Sequence, residues 1–183
     1  MRRIAAHLEM SVDGVVEHPE RWAHTYFSEE MLQAATGQMS DTATVLFGRR
    51  TYEEFATVWP HRDATTDPFA RFLNERPKLV ASNTLRSPEW GPAEVIAGDI
   101  PKAVAELKGK PGGDVIILGS VTLVGSVLRA GLLDVLDLFV VPVLIGSGKR
   151  LFEADEQVPL KLVESSAFTN GVLSLRHAPA RKE

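Results

Sequence analysis

Gly48-Arg49-Arg50-Thr51 follows the apolar run Thr44-Val45-Leu46-Phe47 and leads into Tyr52-Glu53-Glu54-Phe55. An apolar strand that ends on glycine and turns at once into a helix gathers backbone N–H groups, two guanidinium groups and a hydroxyl at one point. That combination suits an anion. Two further segments have similar chemistry, with Ser82-Asn83-Thr84 after Ala81 and Gly119-Ser120-Val121-Thr122 after Leu118, the last opening an apolar helix. Small and hydroxyl side chains let a ligand approach the backbone closely. Taken singly, each segment reads equally well as an ordinary helix cap. If the three preceding strands are parallel, all three turns lie on the carboxyl edge of one sheet, where open α/β folds bind ligands. A ligand carrying several phosphates fits that set.

Reaction chemistry also needs a proton source, and the candidate catalytic acids are Glu9 and Asp13. Glu9 is unusual in a central apolar strand and reads either as a buried acid or as a salt-bridged structural charge. Glu29 and Glu30 read as helix N-terminal charges favoured by the dipole. Several other chemistries lack their residues. Gly148-Lys149 has Val143 and Arg150 where a nucleotide-triphosphate loop needs Gly and Ser or Thr, and Gly146-x-Gly148 has Leu151 where a dinucleotide fingerprint needs glycine. No GxSxG nucleophile elbow occurs. The five histidines form no i, i+4 pair and the chain has no cysteine, so no metal site is expected.

The elements that must position these groups alternate along the chain. Strands are predicted at 4–10, 44–47, 78–81, 94–97, 114–118 and 136–145, and helices at 29–39, 51–57, 68–74, 100–107 and 121–130. Continuous rather than alternating apolar runs imply strands covered on both faces, hence a predominantly parallel central α/β sheet flanked by helices. Segments 160–168 and 172–177 flank Asn170-Gly171, a pair suited to a tight turn, so a C-terminal antiparallel hairpin should close the sheet. Residues 61–67, rich in charge and threonine, read as a mobile loop.

With 183 residues, 44% of them hydrophobic, the chain can build one sizeable core, and residues 1–183 are expected to form a single domain. The opening MRRIAAHLEM runs into polar SVDG, unlike a secretory signal, and the longest apolar stretch, eight residues, is too short to span a bilayer. A soluble, cytoplasmic protein with no membrane partner is expected. The net charge of −4 argues against nucleic acid as a partner.

The chain resembles the dihydrofolate reductase superfamily, and within it the reductase domain of bifunctional riboflavin-biosynthesis enzymes and their stand-alone bacterial relatives. The matching pieces are SVDGVV at 11–16, VLFGRRTYEEF at 45–55, Trp59-Pro60, PKLVASNTL at 77–85, DVIILGS at 114–120 and GLLDVLDLFVVPVLIGSGKRLF at 131–152, in the family's order. The resemblance implies a dihydrofolate reductase-like fold and an NADPH-dependent reductase of a small heterocyclic, pyrimidine- or pterin-like substrate. The alternative is a nucleotide-binding module of the same fold without efficient catalysis.

Carried over residue by residue, the resemblance puts the cofactor's 2′-phosphate and neighbouring phosphate at Gly48, Arg49, Arg50 and Thr51. It puts the adenosine at Ser82, Asn83 and Thr84, and the pyrophosphate at Gly119, Ser120, Val121, Thr122 and Leu123. The loop containing Val12, Gly14 and Val16 would close over nicotinamide, its backbone reading the carboxamide. Trp22 and Phe27 would touch substrate. Dihydrofolate reductases carry an acid about five residues beyond a tryptophan, and counting from Trp22 that place holds Phe27. Riboflavin-type relatives often carry Asp-Glu where this chain has Asp134-Val135, so a second acid is gone. Asp134 and Asp137 then read as solvated strand-start charges or as acids in a neighbouring role. Lys149 and Arg150 would hold a phosphate on the substrate, or merely flank a flexible turn. The family often pairs, and the apolar strand at 136–145 would serve a homodimer or simple burial.

Overall fold

The computed structural model describes residues 1–152 and 157–180. In chain order the elements are β1 (Ile4–Ser11), α1 (Glu29–Gln38), β2 (Thr42–Gly48), α2 (Arg49–Ala56), α3 (Pro68–Glu75), β3 (Lys78–Ala81), β4 (Ala93–Ile96), α4 (Ile100–Gly109), β5 (Asp114–Leu118), α5 (Val121–Arg129), β6 (Val135–Val141), β7 (Leu160–Ala167) and β8 (Leu173–Pro179). All eight strands form one sheet in the order β4-β3-β2-β5-β1-β6-β8-β7. The first six in that order are mutually parallel, and β8 runs antiparallel to both β6 and β7. The mostly parallel sheet and its closing hairpin are thus as the apolar runs and the Asn170-Gly171 pair imply. At that turn Gly171 takes φ +85° and the N–H of Phe168 donates to the carbonyl of Val172 at 2.9 Å.

Apolar residues cover both faces because the central strands are apolar at successive positions. On one face Ile4, Ala6 and Leu8 of β1 join Leu46, Val115 and Ile117 beneath Val104 of α4 and Leu123, Val124 and Val127 of α5. On the other, Val45, Phe47, Val80, Ile116 and Leu118 pack with Tyr52 of α2, Leu73 of α3 and Trp90. Further along that second face, Met31 of α1 meets Phe139, Val141 and Val172. Among the described residues no helix is long and apolar enough to cross a membrane.

Several expected bounds shift. The strand predicted over 136–145 is β6 and stops at Val141. Pro142 has no N–H to donate to a ladder, and the Val143 N–H folds back on the Val141 carbonyl at 2.7 Å. The residues so released become a loop beside the one after β1. Helix α2 begins at Arg49, two residues before its predicted start, so both arginines belong to its first turn. The stretch 61–67 is organised locally: Asp63 Oδ1 accepts from the N–H and hydroxyl of Thr65, and Arg71 Nε donates to the Ala64 carbonyl.

The strand-start aspartates are paired rather than solvated. Asp137 is fully buried and receives two bonds from Arg176, Nε at 2.7 Å and Nη2 at 3.0 Å. Asp134 accepts from the Ile4 N–H at 2.8 Å and pairs with Lys108. Burial removes competing water, so a charge left alone there would be costly and each carboxylate has taken a partner. Both residues sit at the amino end of β6, opposite the edge where the three turns emerge.

Candidate active site

Because β3, β2, β5, β1 and β6 are adjacent and parallel, the segments leaving them line one carboxyl edge in that order. They are the 82–84 turn, the 48–51 turn, the 119–120 turn, the 11–16 loop and the 142–150 loop. The chain runs from β1 past the place of β5 to β2 and fills that place later, which is the topological arrangement that opens a ligand crevice.

The two middle turns are joined. The Gly48 N–H donates to Ser120 Oγ at 2.8 Å, and Ser120 Oγ also lies 3.2 Å from the Leu118 carbonyl. Gly119 takes φ +61°, and a Cβ there would stand 3.2 Å from Thr51 Cγ2, so both the conformation and the close approach ask for glycine. Helix α2 starts at a glycine, and Ser120, the cap of α5, makes no side-chain cap bond because its hydroxyl serves Gly48. The other three helices are capped: Ser28 accepts from Met31, Asp67 from Phe69 and Ala70, Asp99 from Lys102. The two helix ends facing the edge therefore keep first-turn donors that no cap side chain satisfies.

Arg49 and Arg50 differ. Arg49 Nη1 pairs with Glu53 at 2.8 Å within the helix. Arg50 is exposed, and among the described residues its guanidinium has no partner. In the 82–84 turn, Ser82 Oγ accepts from the N–H groups of Thr84 and Leu85, and Asn83 Oδ1 accepts from the Gly98 N–H at 2.6 Å. Ser82 and Asn83 thus shape the turn, and Thr84 is left exposed on it.

The loop after β1 is strapped to the loop after β6. Asp13 accepts from the Ser11 hydroxyl at 2.7 Å and from the N–H groups of Ile145 and Gly146 at 3.1 and 2.7 Å. The Ser11 hydroxyl bond, followed by the two backbone donors, lowers the Asp13 carboxyl to about 2. At neutral pH it is an ionised fastener, which is a poor state for the proton donor expected from sequence. The N–H groups of Val12, Gly14 and Val16 go to the carbonyls of Val143, Ser11 and Lys149.

Glu9 lies at the carboxyl end of β1 opposite Phe139. It is half-buried, and among the described residues its carboxylate has no hydrogen-bond or ion-pair partner. The α1 carboxylates are committed elsewhere. Glu29 accepts from Gln33, and Glu30 accepts from the hydroxyl and N–H of Thr169, which lower its carboxyl below the usual range. Trp22 donates its indole N–H to the Glu17 carbonyl at 2.9 Å, and Phe27 is 64% exposed. Lys149 and Arg150 turn toward the edge loops: Lys149 Nζ donates to Thr122 Oγ1 and Arg150 Nη1 to the Asp13 carbonyl.

Sequence reasoning missed this strapping, although the Ser11-x-Asp13 spacing is a local signal for a side chain that stabilises its own turn. It also missed His7, buried at 6% exposure with its ring 4.6 Å edge-on from Phe139 and Nδ1 3.1 Å from Gln38 Oε1.

The RibD C-terminal domain family matches residues 2–174. The chain belongs to that family. It is 26% identical over 177 residues to the uncharacterized protein YyaP of Bacillus subtilis (strain 168), covering 95% of this chain and 93% of that one. A protein from Shewanella sp. PV-4, provisionally named for riboflavin biosynthesis, superposes with TM-score 0.78 at 17% identity, covering 98% of this chain and 99% of the other. Dihydrofolate reductase from Enterococcus faecalis, solved with NADP(H) and RAB-propyl, superposes with TM-score 0.68 at 16% identity, covering 98% and 97%. At such identities the superpositions establish the fold, which is dihydrofolate reductase-like.

Proposed function

We propose that this protein is an NADPH-dependent reductase of a small heterocyclic substrate of the pyrimidine or pterin kind. The observation that carries the reading is the pair of helix ends, α2 and α5, that open on the carboxyl edge without a side-chain cap while α1, α3 and α4 are capped. Membership of the RibD C-terminal domain family supports the same chemistry.

The residues present fit the cofactor. Arg50 and Thr51, with the first turn of α2 behind Gly48, would hold the 2′-phosphate, and a guanidinium with no partner among the described residues favours a dianion over a hydroxyl. Ser82, Asn83 and Thr84 would border the adenosine, and Gly119 through Leu123 the diphosphate. When bound, NADPH supplies a hydride to an electron-poor carbon of the substrate. The protein's own part is orientation, exclusion of water and proton handling. Val15 and Val16, both buried, close the loop after β1, and Asp13 fixes that loop to residues 145–146. Reduction of a C=N bond requires a proton at nitrogen. Glu9, near the carboxyl end of β1 and without a partner among the described residues, is the group assigned to hold or deliver it.

The test is substrate-dependent oxidation of NADPH by purified protein across a set of pterins and pyrimidines, run beside a direct binding titration. Binding with turnover is expected. Binding with no turnover on any of them would favour the nucleotide-binding module, and failure to bind NADPH would overturn the reading.

A further inference from the structure

Lys149 Nζ lies 2.6 Å from Thr122 Oγ1, and among the described residues no carboxylate pairs with that ammonium. Thr122 is the second residue of α5. A full positive charge therefore stands at the helix end that already carries the positive half of the macrodipole, a placement that is unfavourable until an anion joins it. The main chain of the same residue is tied to the other side of the edge. Its carbonyl accepts from the Val16 N–H at 2.9 Å and its N–H donates to Glu17 Oε2 at 3.2 Å. Gly148 takes φ +130°, and a Cβ there would lie 2.7 Å from Val15 Cγ1, so only glycine lets the two loops lie this close.

We infer that Lys149 is a cofactor-positioning residue: its ammonium engages the cofactor's diphosphate beside Thr122, and its main chain couples that contact to the loop at residues 11–17. This assigns Lys149 to the cofactor rather than to a phosphate on the substrate, and it rests on the NADPH reading above. A lysine held this way contributes a point charge to the diphosphate, which NADPH and NADH share, and is indifferent to the 2′-phosphate, which they do not.

The test is titration of wild type, Lys149→Ala and Lys149→Arg with NADPH, NADH and adenosine 2′-monophosphate, which has no diphosphate. Lys149→Ala should weaken both dinucleotides by about ten-fold and leave the mononucleotide unchanged, and Lys149→Arg should recover most of the loss. Unchanged dinucleotide affinity in Lys149→Ala, an equal loss for adenosine 2′-monophosphate, or no recovery with arginine would each overturn the inference. A wild-type protein that binds neither dinucleotide would overturn the cofactor reading itself, a result distinct from normal wild-type binding with an indifferent Lys149→Ala.

Discussion

Gly48 and Ser120 are 72 residues apart, and the N–H of one donates to the hydroxyl of the other at 2.8 Å. That single bond holds the start of α2 against the start of α5, and it uses the hydroxyl that would otherwise cap α5. Ser120→Ala should destabilise the fold by about 1 kcal/mol in urea unfolding, the usual net worth of one intramolecular hydrogen bond. It should also weaken NADPH and NADH alike, because the two turns would lose their mutual register. A variant with unaltered stability and unaltered affinity for both would show that the bond does neither job.

Glu9 is expected to serve the proton transfer and not the cofactor. Glu9→Gln keeps the shape and removes the acid, and it should lower kcat on an accepted substrate by about two to four orders of magnitude while the Kd for NADPH stays within about two-fold. Full activity in the variant would return the search for a donor to groups beyond those described.

Asp13 should make the loop strap sensitive to acid. Its carboxyl is held at about 2, against an ordinary 3.8, chiefly by the Ser11 hydroxyl. The folded protein thus takes up that proton less readily than the unfolded chain. The contribution to stability is fully present above about pH 4 and is lost as pH falls through about 2. Thermal unfolding of wild type should therefore fall more steeply than that of Asp13→Asn across this interval. Parallel curves for the two proteins would count against the strap.

Much of this arrangement is legible in the sequence, and the part that is not has a physical cause. The continuous apolar runs around Ile117, Leu46 and Leu8 disclose strands covered on both faces, and Asn170-Gly171 discloses the closing hairpin. Gly48-Arg49-Arg50-Thr51 is legible as a strand-to-helix corner, because an apolar run stops on glycine and a helical pattern follows at once. Which arginine is available is not readable, since Arg49–Glu53 and Arg50–Glu54 share the same i, i+4 spacing, and among the described residues only the first pair forms. The strap between Asp13 and residues 145–146 joins loops 132 and 133 residues apart. No local pattern announces a contact of that range. The neighbour of Lys149 is hidden for the same reason, because Thr122 is brought to it where the 142–150 loop meets the start of α5 and not by residues adjacent in the chain.

The Asp137–Arg176 pair offers a stability test remote from the site. The Asp137 side chain is 1% exposed and that of Arg176 28%. Asp137→Ala leaves a largely buried guanidinium without its partner, at a cost of about 3 kcal/mol, whereas replacing both residues by leucine should recover most of it. Chemical denaturation of the single and double variants measures this, and cofactor affinity should be unaffected in each. A single variant as stable as wild type would mean that water satisfies Arg176 as well as Asp137 does.

The central claim is that the carboxyl edge reads a phosphorylated dinucleotide through Arg50, and calorimetric titration of NADPH and NADH against wild type, Arg50→Ala and Arg49→Ala tests it most directly. Wild type should prefer NADPH. Arg50→Ala should lose about ten- to a hundred-fold in NADPH affinity, the equivalent of about 1.5–3 kcal/mol for a hydrogen bond to a charged group, and should bind NADH almost as before. Arg49→Ala, whose guanidinium is already paired with Glu53, should show the smaller loss. Equal losses of both cofactors in Arg50→Ala, or no preference for NADPH in wild type, would contradict the account.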